Sequence, residues 1–195
     1  FDFLLLDPPW PNRSASRKGD YSTIDRREII PLLKKIPVAD ITKPRGLVAV
    51  WITNRPALRK QLLEQVAPTW GCDGIPEAEW TWVKVTEKGE TVWDMESKMR
   101  KPYEVLLILR RNGEKGEKEV KVKNMVMVAV PEKHSRKPAV KGLIEKYLPE
   151  NHKGAEIFGR NLTDGWFTWG DEAIKWNWDG HWDTEEKKSE VVSSV

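Results

Sequence analysis

Phe1-Asp2-Phe3-Leu4-Leu5-Leu6-Asp7-Pro8-Pro9-Trp10 opens the chain and decides how the rest is read. Phe1–Leu6 is a nearly continuous apolar run, the pattern of a strand buried on both faces, as in a parallel sheet. Two prolines stop it, because neither has an N–H to give to a sheet ladder. The result is a carboxylate at the end of a buried strand, followed by an indole. In open α/β sheets that strand end is where ligands sit.

The same alternation of strand and helix continues downstream. Leu47–Ile52, Tyr103–Leu109 and Met125–Val130 read as strands. Trp80–Val85 alternates apolar and polar residues like a half-buried strand, and Ala155–Phe158 is a short strand ahead of Gly159-Arg160-Asn161. Helices are predicted over Arg26–Lys35, capped by Asp25, and over Arg55–Val66, with Leu58, Leu62 and Val66 on one face. Two more are predicted, from Pro138 to about Tyr147 and from Asp171 to Lys175. Trp10–Tyr21 and Met95–Lys101 read as polar loops, and Asn112–Lys123 as a solvated excursion. The pattern is that of an α/β domain with a mostly parallel sheet and helices on both faces. It spans residues 1–178, and 179–195 form a polar tail.

At 195 residues, 39% hydrophobic and 32% charged, the chain is long enough for one well-buried core. No apolar run approaches the ~18–20 residues of a membrane helix, and no membrane partner is expected. Cys72 is alone and there are three histidines, so neither a disulfide nor a structural zinc site is expected, and no metal. The compartment implied is reducing, nuclear or cytoplasmic. A net charge of +3 is only mildly basic, a weak pointer to a polyanionic partner. Eleven tryptophans are read mainly as core filling and partner surface. The chain begins at Phe1 without a Met, and is expected to be a piece of a longer protein lacking an N-terminal domain or a partner subunit.

Asp7-Pro8-Pro9-Trp10 carries the chemistry. The lone pair of an exocyclic ring amine is delocalised, so the nitrogen is a poor nucleophile. Two acceptors held rigidly at a strand end improve it by taking both N–H hydrogens. The Asp7 carboxylate is one and the Pro8 carbonyl the other, with Pro9 stiffening the turn. Trp10 would offer a flat face for a stacked base, worth about 1–3 kcal/mol. The same residues are also compatible with a plain strand-ending turn and a core tryptophan.

The tetrapeptide resembles the signature of the MT-A family of adenine-N6 methyltransferases, and the chain is most similar to its methyltransferase-like-four branch. The supporting stretches follow in the family's order: Trp51-Ile52-Thr53-Asn54-Arg55, Glu79–Lys84, Lys101-Pro102-Tyr103-Glu104, His134-Ser135-Arg136-Lys137-Pro138, Phe158-Gly159-Arg160-Asn161, Gly165-Trp166 and Trp169-Gly170. The resemblance implies a Rossmann-like methyltransferase fold in permuted order, with the catalytic motif ahead of the cofactor motif. It implies S-adenosyl-L-methionine as cofactor. It implies a transferase that makes N6-methyladenine in nucleic acid, either RNA (small nuclear RNA adenosine or 2′-O-methyladenosine) or DNA, in the nucleus.

By matching position, Asp7, Pro8, Lys137, Glu156, Phe158, Arg160, Asn161 and Asp171 would contact the cofactor. Lys137 would meet its methionine carboxylate, and Glu156, Phe158, Arg160 and Asn161 its ribose and adenine. Trp10, Asn12, Tyr21, Lys84 and Glu104 would contact the target nucleotide, with Arg13, Arg17 and Lys18 beside its phosphates. The family has Gly-Asn where this chain has Gly170-Asp171, which keeps acceptors and loses donors. The alternatives are a non-catalytic partner subunit that binds nucleic acid, and a methyltransferase for another planar amine.

Overall fold

The computed structural model describes residues 1–11, 27–97, 100–114, 119–131 and 136–175. The strands are β1 (Phe3–Leu6), β2 (Leu47–Ile52), β3 (Ala78–Lys84), β4 (Tyr103–Arg110), β5 (Met125–Ala129), β6 (Gly154–Ile157) and β7 (Phe167–Trp169). They form one sheet in the order β5-β3-β4-β2-β1-β6-β7. β1 pairs in parallel with β2 and β6, β3 with β5 and β6 with β7. β4 alone runs against its neighbours, β2 and β3. The sheet is therefore mixed but mostly parallel, as the alternation of elements predicts.

Side chains along each strand alternate between two cores. On one face Leu4, Leu6, Val48, Val50 and Leu107 pack against Ile29 and Leu33 of α1 (Ile29–Lys35), Val38 of α2 (Val38–Ile41) and Leu58 of α3 (Pro56–Gln61). On the other, Phe3, Leu5, Trp51, Trp80, Trp82 and Ile108 pack against Val122, Val140 and Ile144 of α4 (Lys141–Ile144). Trp51, Trp70 and Trp80 are fully buried, which bears out the core-filling reading for those three.

Several elements differ from expectation for local reasons. α3 passes into a π turn at Leu62–Val66 and a 3-10 turn at Ala67–Trp70. Pro68 has no N–H to continue the α-helical ladder. Leu58, Leu62 and Val66 still face the core. α4 begins at Lys141 rather than Pro138. Residues 138–140 run non-helically along a cavity, and the Val140 carbonyl receives the N–H groups of Leu143 and Ile144. Asp171–Ile174 forms turns, and Lys175 is in 3-10 geometry. The three-residue β7 was too short for its pattern to register. Asp25, the expected cap of α1, and residues 176–195, with Trp176, Trp178 and Trp182, lie outside the described residues.

The Asn112–Lys123 stretch is less solvated than its composition implies. Arg45 donates to both Glu119 oxygens at 2.8 and 2.6 Å. Arg110 donates to both oxygens of Glu77, which also accepts the Val122 N–H, and Val122 is buried. This network ties the excursion to the sheet edge opposite the carboxyl ends of the parallel strands. Glu77→Ala removes the acceptor of the Val122 amide and the closest carboxylate of Arg110, which keeps the Arg45 and Val120 carbonyls and a 3.7 Å contact with Glu119. It is expected to cost about 2 kcal/mol in urea unfolding. Lys60→Ala breaks only an exposed 4.0 Å contact with Glu64 and is expected to change stability by less than about 0.5 kcal/mol.

Candidate active site

The last ladder bond of β1 on its β6 side runs from the Asp7 N–H to the Ile157 carbonyl at 3.2 Å. Pro8 and Pro9 cannot add another, so the chain leaves the sheet there. The turn is tight, since the Trp10 N–H reaches the Pro8 carbonyl at 2.7 Å. That carbonyl is outside the sheet ladder and keeps a second lone pair. The Trp10 indole N–H donates to the Trp51 carbonyl at 2.6 Å, near the end of β2. Trp10 is 8% exposed and belongs to the helix-covered core. The expectation of an open stacking face is therefore corrected. The indole anchors the turn to β2, because its N–H needs a buried acceptor and Trp51 supplies one.

Asp7 is 5% exposed. Lys137 lies 3.0 Å from Oδ1 and 3.2 Å from Oδ2, and the Arg160 guanidinium 3.8 Å from Oδ2. Lys137 also reaches Glu104 Oε2 at 3.2 Å, and Lys84 bonds the other Glu104 oxygen. Lys84 rests over the Trp82 ring. β4 runs opposite to its neighbours, so Glu104, near its start, shares an edge with the ends of β1 and β3. The result is an alternating row: Asp7, Lys137, Glu104, Lys84.

Burial shapes the protonation of this row. It raises the Asp7 pKa, against the pull of Lys137 and Arg160. Burial works against charge on Lys137 too, but the Asp7 and Glu104 carboxylates outweigh it and hold the ammonium charged. For Glu104 the two lysines outweigh burial and keep it below the usual glutamate range.

Lys137 also lines a cavity of about 450 Å³, with Leu5, Trp82, Glu156, Asn161 and Trp166 among its walls. Glu156 is pushed up to about 7, by burial and then by the nearby Asp7 charge, and no described residue hydrogen-bonds it. The Asn161 side-chain Oδ1 accepts from Arg136 Nε. Gly159 and Gly170 approach so closely that a Cβ on Gly170 would sit 2.1 Å from the Gly159 carbonyl. The two backbones therefore pack directly on each other just past β6, with Phe158 at φ 61° turning the chain out of the strand.

The other candidate residues are placed as follows. Phe158 packs on the helix-covered core, away from the cavity. Arg160 turns to Asp7 and, at 3.5 Å, to Glu172. Asp171 is exposed, and the acid that reaches the site is its neighbour Glu172. Asn12, Tyr21, Arg13, Arg17 and Lys18 lie outside the described residues. Sequence reasoning missed Trp51, Trp82 and Glu172 as parts of the site. Strand position could have flagged the two tryptophans, which alternate onto the same face as Leu5. Among the described residues no group of three or more His, Cys, Asp or Glu side chains is placed to hold a metal.

The MT-A70 family model matches residues 1–172. The chain belongs to the MT-A70 family. It is 44% identical over 186 residues to the N6-methyladenosine RNA methyltransferase MTA1 of Cryphonectria parasitica, covering 93% of this chain and 54% of that protein. Identity to the protein of that name from Pyricularia oryzae is 40% over 194 residues, 97% of this chain and 51% of the relative. Identity to human N(6)-adenine-specific methyltransferase METTL4 is 33% over 185 residues, 90% of this chain and 38% of the relative. The chain thus spans about half the length of the two fungal relatives.

Glu156 makes the site sensitive to pH. Its folded value is about 7 against an ordinary 4.5, so between those values the folded protein holds a proton that the unfolded chain has released. Stability therefore falls as pH rises through that window. Glu156→Gln is expected to flatten this part of the thermal-melt profile. The variant should match wild type near pH 5 and exceed it near pH 8 by on the order of 3 kcal/mol.

Proposed function

We propose that this domain transfers a methyl group from S-adenosylmethionine to the N6 amine of adenine in nucleic acid. The observation that carries the reading is the Asp7–Lys137 pair beside the cavity walled by Lys137, Glu156 and Asn161. A buried lysine suits a carboxylate, and a buried acid without a hydrogen-bond partner suits ribose hydroxyls. These residues fit the cofactor. Lys137 would hold its methionine carboxylate, and Glu156 and Asn161 its nucleoside hydroxyls. S-adenosylmethionine supplies a methyl group already activated on a sulfonium.

The chain's own work is alignment and charge placement. Asp7 and the free lone pair of the Pro8 carbonyl accept the two N6 hydrogens, which draws the nitrogen toward a tetrahedral, more nucleophilic geometry. N6 becomes acidic as its new bond to carbon forms. Asp7, made more basic than an ordinary aspartate by burial, is suited to take the proton that leaves. Trp10 keeps the turn rigid by its bond to Trp51. Lys84 and Glu104 stand at the same edge, in reach of the target nucleotide's side of the site.

RNA is the polymer we favour, because the two fungal relatives are named for RNA methylation. Asp7→Ala is expected to lower methyl transfer about 10³-fold, with thermal unfolding and binding of S-adenosylhomocysteine retained. Nucleoside mass spectrometry after incubation with RNA and DNA measures both points. Wild-type product levels from the variant would overturn the mechanism, and N6-methyldeoxyadenosine as the dominant product would overturn the choice of polymer.

A further inference from the structure

Lys137 belongs to two places at once. Its ammonium contacts both oxygens of Asp7, at 3.0 and 3.2 Å, and its side chain lines the neighbouring cavity. Asp7 itself does not line that cavity and is 5% exposed. With Lys137 across both oxygens and Arg160 3.8 Å from one of them, the carboxylate has little open surface to offer an incoming amine. We infer that Lys137 is a latch: it shields Asp7 until a carboxylate in the cavity draws it off, so the methyl donor must be seated before the target amine can be gripped. This rests on the methyltransferase reading above and adds an order of events to it.

Charge pairing favours an exchange of partners over a simple opening. A buried charge stripped of its partner costs several kcal/mol. In the exchange Lys137 gains one carboxylate as it gives up another, and Glu104 Oε2, 3.2 Å away on a different strand, stays beside it. Asp7 keeps Arg160. No group is left alone, and the Asp7 oxygens become free to accept N–H donors. The two sites are then coupled through one side chain with two arrangements, and the coupling is reciprocal.

Two ligands separate this from ordinary cavity filling. S-adenosylhomocysteine carries the amino-acid carboxylate; 5′-methylthioadenosine has the same nucleoside and thioether without it. Fluorescence anisotropy with a single-stranded adenine oligonucleotide, on the wild-type protein, should show affinity tightened about tenfold by S-adenosylhomocysteine and unchanged by saturating 5′-methylthioadenosine. The effect should vanish with an oligonucleotide in which nebularine, which lacks the N6 amine, replaces the target adenosine. Lys137→Met, if its melt shows a folded protein, should bind the adenine oligonucleotide with no response to S-adenosylhomocysteine. Equal tightening by both ligands, tightening that persists with nebularine, or calorimetric binding of S-adenosylhomocysteine with no tightening would each overturn the latch and leave the methyltransferase reading standing. Failure of S-adenosylhomocysteine to bind at all would overturn that reading and the latch with it.

Discussion

A charged ammonium lies between the carboxylates of Asp7 and Glu104, with its side chain 15% exposed, and much of the site follows from keeping that arrangement tolerable. Removing a lysine from water is costly unless opposite charges surround it. The two carboxylates repay that cost only because each is held in turn, Asp7 by Arg160 and Glu104 by Lys84. Arg160 is itself balanced by Glu172, which pairs with Lys175. Charge balance thus runs from the last turns of the described chain to the first strand.

That balance depends on topology. β1 sits near the centre of the sheet, flanked by β2 and β6, so its carboxyl end has neighbours on both sides. β6 delivers Glu156 and, past the turn at Phe158, Arg160. β4 runs in reverse, and its start places Glu104 on the edge where the parallel strands finish. A parallel β4 would have exchanged its two ends, carrying Glu104 to the opposite edge, beside Glu77, and Arg110 to this one. Arg110, at the other end of β4, shows what that edge is used for, since it holds the Asn112–Lys123 excursion in place.

Tryptophan placement shows how one residue type serves different ends. Trp80 closes the second core and gives its N–H to Lys123. Trp82 and Trp166 wall the cavity. Trp10 ties a proline turn to β2, and Trp51 supplies the acceptor while its ring stands 5.9 Å from the Lys137 ammonium. An indole is large and flat with a single donor: Trp10, Trp70, Trp80 and Trp82 each give it to a main-chain carbonyl, whereas the buried N–H groups of Trp51 and Trp166 have no hydrogen-bond partner among the described residues.

Much of the fold was legible in the chain. The bounds of β2 were read from its unbroken apolar run, and β1, β4, β5 and β6 fell within a residue or two, because short apolar runs announce themselves, even in β5, an edge strand whose Val126 and Val128 are exposed. The strand-ending role of Pro8 and Pro9 followed from their missing N–H groups. Less legible were elements whose form depends on distant partners: the late start of α4, the short β7, and Val122 and Glu119 drawn in from a polar stretch. By itself the sequence determined that a carboxylate would stand at the end of a buried strand, with a lysine and an acid available from later loops. Only the tertiary structure decided that Lys137 bridges Asp7 and Glu104, that Arg160 faces Asp7, and that Trp10 is an anchor. Those outcomes turn on where buried charges and N–H groups find partners far away in the chain, and local residue pattern carries no record of such pairings.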